Sequence, residues 1–366
     1  MLIKLSRKFI KLCKSVSTAA ALVAYLSINL HAAETINDLP IRAFAIASPK
    51  PNEVDTYVKF INQELANSPV NQLFVRINYN FKFKSHPELA DNSALSESQV
   101  KRIVAAANKH GIDVIPIVNL LGHQSWKQDN IRSLLRVYPE FEEEPGAKLQ
   151  DKDFYTRAYC PQHPEVHGVV FALVDEIADA FDAKGVHVGM DEVFILGEDG
   201  CSRCKGKNKA ELFANEVNLI QQHLAKSNRK TYIWGDRLLD GEVTGIGKWA
   251  ASMNDTAPAI DLISKEVVVV DWQYRKAPPT PGYFALKGFN VIAASYQIAD
   301  VASQQVNSML ALRKFNNDKI KNRLNGVMHT YWGSFGEFHA CYTGKKCGNE
   351  AKVGAVETFN RLFKTK

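Results

Sequence analysis

Gly185-Val-His-Val-Gly-Met-Asp-Glu-Val193 sets valines between two glycines and then ends in two adjacent carboxylates, Asp191 and Glu192. A short apolar run bounded by glycine reads as a buried strand, and such a strand has no packing use for two acids at its end. Seven other stretches share the composition: Arg42 to Ala47, Leu73 to Asn78, Val114 to Asn119, Thr231 to Trp234, Val267 to Trp272, Val291 to Tyr296 and Val327 to Trp332. Helical patterns lie between them. Val166, Val170, Leu173, Ile177 and Phe181 recur at spacings of three and four, and Leu212, Val217, Ile220 and Leu224 form a second apolar stripe. Ser96 and Gln99 have capping-box spacing ahead of Val100 and Ile103, with Gly111 where that helix should stop. Eight strands alternating with helices predict parallel βα units, most simply closed as a (β/α)8 TIM barrel; a doubly wound open sheet shares the alternation.

In a barrel the chemistry sits at the C-terminal strand ends. Polar and aromatic residues gather there: Asn119 and His123 after the third strand, Asp191 and Glu192 after the fourth, Trp234 and Asp236 after the fifth, and Trp272, Tyr296 and Trp332 after the last three. Neighbouring strand residues point to opposite faces, so Asp191 and Glu192 share a pocket only if the chain turns at the rim, a bend that Gly189 permits. Paired carboxylates at a Trp-lined mouth suit glycoside chemistry, in which a protonated acid serves the leaving oxygen. A like charge and burial both raise the carboxyl pKa that such an acid needs. An isolated Asp-Glu pair is otherwise a solvated acidic loop.

The chain has 366 residues, 45 Lys and Arg against 39 Asp and Glu, and a formal charge of +6. Five of those cations, Lys4, Arg7, Lys8, Lys11 and Lys14, precede an apolar run from Ala19 that ends in small residues at Ala32 and Ala33. This reads as a secretory signal peptide over residues 1–33, since Asn29 and His31 break the run before it is long enough to span a bilayer. Taking those five from 45 leaves 40 basic against 39 acidic side chains, a charge of +1. A nucleic-acid partner therefore has no support. Without repeats or linkers, residues 34–366 are expected to form one exported domain, periplasmic or secreted, with no membrane span after cleavage.

Export puts the remaining cysteines, Cys160, Cys201, Cys204, Cys341 and Cys347, in an oxidising compartment. Cys341 and Cys347 are the first choice for a disulfide, and an odd count leaves at least one thiol over. Cys201-Ser-Arg-Cys204 is half of a zinc motif with no second Cys or His pair at matching spacing, so disulfide pairing is preferred and no metal is expected. Phosphate-binding loops, G-x-S-x-G and H-E-x-x-H are absent, and no cofactor is expected.

His187-x-Gly189-x-Asp191-Glu192 resembles the H-x-G-x-D-E signature of glycoside hydrolase family 20, the β-N-acetylhexosaminidases. Val114-Ile-Pro-Ile-Val-Asn-Leu-Leu-Gly-His123 resembles the family's V-I-P-E-I-D-M-P-G-H strand, and Tyr232-Ile-Trp-Gly-Asp236 the next Trp-bearing strand. Asp271-Trp272, Ser295-Tyr296 and Tyr331-Trp332-Gly333 follow in the family's order. The likeness runs from about residue 100 onward and is poor in the first two strands.

The resemblance implies a barrel that removes terminal β-linked N-acetylhexosamine by a substrate-assisted retaining mechanism, an exception to the two-carboxylate scheme. Glu192 would be general acid and then base, Asp191 would orient the 2-acetamido group, and Tyr296 would bind its oxygen. Trp234, Trp272 and Trp332 would wall the sugar, with His123 and Asp236 beside it, His187 and Asn119 in support, and Glu337 in place of an acid that the family carries near its last Trp. Lys50 stands where the family ends its first strand with a sugar-gripping Arg, and Ile117 and Asn119 replace its Glu and Asp; these departures bear on specificity. The carbohydrate partner would be an N-acetylhexosaminide, with chitin and peptidoglycan fragments as sources to test. Two alternatives stay open: a sugar-binding barrel with little or no turnover, and a hydrolase for another amino sugar or oligosaccharide.

Overall fold

A computed structural model describes residues 35–127, 129–145 and 157–364; the expected signal peptide, residues 1–33, lies outside them. Eight parallel strands close in chain order: β1 (Ile41–Ala47), β2 (Gln72–Arg76), β3 (Asp113–Leu120), β4 (Gly185–Gly189), β5 (Lys230–Trp234), β6 (Val268–Trp272), β7 (Asn290–Ser295) and β8 (Leu324–Thr330). β8 pairs back onto β1, Ile41 opposite Gly326 and Ala45 opposite Thr330, which makes the sheet a barrel and excludes the open alternative.

Strands in such a barrel are buried on both faces, so they are apolar throughout rather than alternating. Ala43 and Ala45 on β1 are small where Phe74, Tyr232 and Trp234 are large, and with Ile115, Ile117, Val268, Val270, Ile292, Ala294 and Met328 they fill the interior. The opposite face, including Phe44, Ile46, Val186, Val188, Ile233 and Val269, packs under the helices. Both expected stripes lie on that layer. Val166, Val170, Leu173 and Ile177 are buried on a helix over Val166–Ala180, with Phe181 buried just beyond it, and Leu212, Val217, Ile220 and Leu224 are buried on Lys209–Ala225. Ser96 caps the helix Glu97–Asn108, its hydroxyl accepting from the Gln99 N–H while the Gln99 side-chain Oε1 accepts from the Ser96 N–H.

Two departures shape the mouth. β2 stops at Arg76 and β8 at Thr330, earlier than the composition predicts, so Asn78, Tyr331 and Trp332 peel off the ladder at the rim. Asn78 has φ +41°, which extended backbone does not tolerate. Between β5 and β6 only short helical turns occur, Asp236–Leu238, Gly241–Thr244 and Ala257–Asp261. Arg237 holds that connection together from inside, donating to the carbonyls of Lys248, Trp249 and Ala251. Among the described residues no helix is long and apolar enough to cross a membrane.

Candidate active site

The bend that brings the two acids together starts at Gly189, whose φ is +73°. A Cβ there would lie 2.9 Å from both Cα and Oδ1 of Asn119, so only glycine fits. Met190 (φ +72°) and Glu192 (φ +49°) follow in the left-handed region, and the end of β3 does the same at Leu121 (φ +61°) and His123 (φ +56°). Each such non-glycine residue costs on the order of 1–3 kcal/mol, strain that gathers where side chains must be aimed. The β3–β4 register shifts between Ile117 and Leu120, which turns Asn119 out of the ladder beside Gly189.

The result is a compact trio. His123 Nε2 lies 3.1 Å from Asp191 Oδ2 and 3.4 Å from Glu192 Oε2, and all three side chains are largely buried. Burial pushes the Glu192 carboxyl up, and the charges of Asp191 and Asp236 add to it, to about 8 despite His123 and Arg237. Burial acts on Asp191 in the same sense, but the hydrogen bond and charge of His123 outweigh it and hold that carboxyl below its ordinary value. Burial alone would lower the His123 imidazole; its two carboxylate neighbours bring it above the usual range. Two adjacent acids thus differ in protonation at neutral pH. Asp191 Oδ1, equally buried, meets no donor among the described residues.

His187 is of another kind. It is fully buried, its Nδ1 accepts from the Gly189 N–H at 3.1 Å, and burial drives its pKa to about 3. It is a neutral packing residue against Trp234, ring centroids 4.4 Å apart. Trp234 is 1 % exposed, so it forms the floor of the mouth rather than an open wall. Trp332 lies 5.9 Å above it, and Trp272 and Trp332 are half-buried at the rim. Asn119 contributes through its backbone: its N–H donates to Asn78 Oδ1 and its carbonyl accepts from Gln124.

Asp236 occupies the centre of the support beneath the acids. Its Oδ2 accepts from the Glu192 N–H at 2.9 Å and from Arg237 Nε at 2.7 Å, while Oδ1 accepts from Trp272 Nε1 at 3.1 Å. With both oxygens engaged by protein donors it acts as a positioning residue for Glu192 and Trp272. Tyr296 is half-buried, 5.5 Å from Tyr274.

Three residues of the mouth were missed in the sequence. Tyr274, two positions beyond the Trp272 strand end, accepts from Trp332 Nε1 at 2.9 Å and from Thr330 Oγ1 at 3.3 Å, so it fixes the Trp332 ring. Arg76 closes β2, lies 4.7 Å over the Trp332 ring, and donates to the carbonyls of Tyr331 and Gly333. Placing the end of β2 at Asn78 hid it. Trp126 packs on His123 with ring centroids 4.6 Å apart.

Other expectations are redirected. Lys50 is exposed, and its N–H donates to Glu53 Oε2; the guanidinium that meets the aromatic wall is that of Arg76. The Glu337 carboxylate accepts from the N–H and hydroxyl of Ser334, capping the helix Phe335–Tyr342, and pairs with Lys352. Ser334 supplies that cap because its hydroxyl accepts from the Glu337 N–H in return. Cys341 and Cys347 form the expected disulfide. The expected pairing among Cys160, Cys201 and Cys204 does not occur: all three are buried free thiols with Cys160 between the other two, 3.4 Å from Cys201 Sγ and 3.6 Å from Cys204 Sγ.

Known proteins resemble this chain at low identity. The chain is 22% identical over 292 residues to lacto-N-biosidase of Bifidobacterium bifidum, covering 74% of this chain and 24% of that protein. It is 25% identical over 178 residues to hexosaminidase D of Bos taurus, covering 46% and 48% respectively. The chain therefore spans less than half the length of these relatives. Among solved structures, chitobiase of Flavobacterium johnsoniae superposes with a TM-score of 0.62 at 17% identity, over 89% of this chain and 48% of that one. The exo β-N-acetylglucosaminidase of Vibrio harveyi, solved with N-acetylglucosamine, gives 0.61 at 15% identity, over 90% and 55%. These likenesses concern the barrel. The sequence model of the glycosyl hydrolase family 20 catalytic domain matches residues 62–334, from the helix after β1 to the loop after β8, and the chain belongs to that family.

Proposed function

We propose that the protein is an exported β-N-acetylhexosaminidase acting by substrate-assisted retention of configuration. The carrying observation is the division of labour between two neighbouring acids: Glu192, raised to about 8, holds a proton at neutral pH, while Asp191, kept low by His123, has a buried oxygen with no donor among the described residues. An unmet buried acceptor is costly, and an amide N–H arriving there would be favoured.

In this reading Asp191 Oδ1 accepts the N–H of the substrate's 2-acetamido group and turns its carbonyl oxygen toward the anomeric carbon. That oxygen forms a bond to C1 as the C1–O bond to the leaving group breaks, and Glu192 gives its proton to the departing oxygen. The oxazolinium so formed carries a positive charge that Asp191 offsets. Glu192, now a carboxylate, takes a proton from water as the water oxygen bonds to C1 and the acetamide is released. Tyr296 donates to the acetamido oxygen, and Trp272 and Trp332 pack against the sugar's C–H faces over Trp234. His123 keeps the two acids apart in pKa.

Hydrolysis of an aryl N-acetyl-β-glucosaminide, followed by a panel of chitin and peptidoglycan fragments, tests the reading. Turnover by the wild type, with Glu192→Gln slowed by about 100- to 10,000-fold, is expected. Binding of N-acetylglucosamine with no turnover on any member of the panel would instead identify a sugar-binding barrel. Cleavage of the leader near Ala33 on secretion tests export.

A further inference from the structure

Behind the candidate active site, four ligand-bearing side chains from three separate stretches point at one spot: Glu143, Cys160, Cys201 and Cys204, all buried, with their ligand atoms within 4.8 Å of one another. We propose that this cluster is a tetrahedral zinc site with three thiolates and one carboxylate as ligands.

The distances favour a metal over a disulfide. A disulfide brings two sulfurs to about 2.05 Å. Four ligands around zinc at about 2.3 Å hold their sulfurs roughly 3.8 Å apart. The contacts of 3.4 Å and 3.6 Å share Cys160, so the sulfurs converge on a point instead of forming a pair with a bystander. The fourth donor supplies an independent observation. Glu143 is 0 % exposed, and while Oε1 accepts from the Gly197 N–H at 2.8 Å, Oε2 has no hydrogen-bond partner among the described residues. A buried carboxylate oxygen left unmet beside three thiols suits a cation.

The backbone is built to present this set. The Phe141 carbonyl accepts from the Cys160 N–H and the Ala158 carbonyl from the Glu143 N–H, an antiparallel bridge that sets Glu143 and Cys160 side by side. Cys201 and Cys204 occupy one tight turn, the Cys201 carbonyl accepting from the N–H groups of Cys204 and Lys205. The donor set selects the ion: thiolate sulfur with a single carboxylate suits a borderline-soft, tetrahedral, redox-inert divalent cation. Three thiols each release a proton on binding, and the net charge of the loaded site equals that of the common four-cysteine zinc site.

The consequence is mechanical. Glu143 and Cys160 belong to the connection after β3, and Cys201 and Cys204 to the one after β4. The roots of those connections carry His123 on one side and Asp191 with Glu192 on the other, and Gly122 lies against the Asp191 carbonyl. Zinc would tie the two loops together beyond the acids, and it has no part in the hydrolytic chemistry.

The test uses the full chain, purified without chelators or metal-affinity resin. Elemental analysis should find about one zinc per chain, and peptide mapping after alkylation should find Cys160, Cys201 and Cys204 blocked in the folded protein. All three should become modified, without any reductant, once the chain is unfolded in chelator. Glu143→Gln should bind zinc at least about tenfold more weakly in a chelator competition. Cys160→Ser should abolish binding; should that variant fail to fold, refolding of the wild type with cobalt(II) should give thiolate-to-cobalt charge-transfer absorption. The proposal is overturned by a disulfide between any two of these cysteines, by three free thiols without metal, by iron or copper in zinc's place, or by a Glu143→Gln protein with unchanged affinity.

Discussion

The main-chain N–H of Glu192 donates to Asp236 Oδ2 at 2.9 Å, so the residue at the end of β4 is held by the carboxylate that follows β5. The same carboxylate receives Arg237 Nε and Trp272 Nε1, and one buried group thus links the acid, the neighbouring loop and the aromatic wall. Removing it leaves a fully buried arginine without its ion partner. Asp236→Ala is expected to lower the unfolding free energy by about 3–5 kcal/mol in a denaturant titration. Asp236→Asn removes a charge that raises the Glu192 carboxyl, so the basic limb of activity should move to lower pH as kcat falls.

Activity should follow the Glu192 proton. Because the group donates it and sits near 8, kcat/KM is expected to fall as pH rises through about 8, a limb that vanishes in the residual activity of Glu192→Gln. Stability carries the same sign. The folded state keeps a proton that the unfolded chain has lost above the ordinary carboxylate range, so this group's contribution declines as pH rises toward 8. Glu192→Gln, free of that decline, should be more stable than wild type at pH 8 and about equal to it near pH 4, as read by thermal melts across pH.

His123 keeps Asp191 ionised through its charge and a 3.1 Å hydrogen bond. His123→Ala removes both, leaving burial to raise the Asp191 carboxyl. The acidic limb of kcat/KM should therefore shift to higher pH, with kcat reduced by at least about tenfold if the lost pairing is worth 1.4 kcal/mol. An unchanged acidic limb would remove His123 from this role.

Tyr274→Phe deletes the oxygen that accepts from Trp332 Nε1 and Thr330 Oγ1. The expected cost is about 1 kcal/mol of stability and a several-fold rise in KM, with a smaller change in kcat, because the Trp332 ring loses its anchor while the acids stay in place. Steady-state kinetics on an aryl glycoside separate the two parameters.

Gly189→Ala should be worse than an ordinary glycine replacement. The φ of +73° strains any L side chain, and the new methyl would press on the Asn119 main chain at 2.9 Å. A loss of at least about 1 kcal/mol is expected in denaturant melts, with kcat falling as the Asp191–Glu192 turn is displaced.

Strands and helices were legible because their periods are local: valine runs between glycines placed β4, and apolar residues three and four apart placed the helices that follow β3 and β4. Strand ends were less so. Composition carried β2 on to Asn78, where a positive φ stops the ladder, and the error hid Arg76. Asp236 and Glu337 were recognisable as acids near the mouth, yet the distant donors they accept from, Trp272 for one and Lys352 for the other, were set by folding.

The sequence by itself determined eight parallel βα units, the strand ends at which the polar residues gather, and the Asp191–Glu192 pair with a bend at Gly189, because strand period, glycine and adjacency are properties of a short stretch of chain; closure into a barrel rests on the pairing of β8 with β1. Tertiary structure alone decided which acid holds the proton, since that depends on burial and on His123, brought in from 68 residues away. It also decided that Cys201-x-x-Cys204 has company: Cys160 is 41 residues distant from Cys201 and Glu143 lies farther still, and donor atoms converge through folding, which spacing along the chain does not encode.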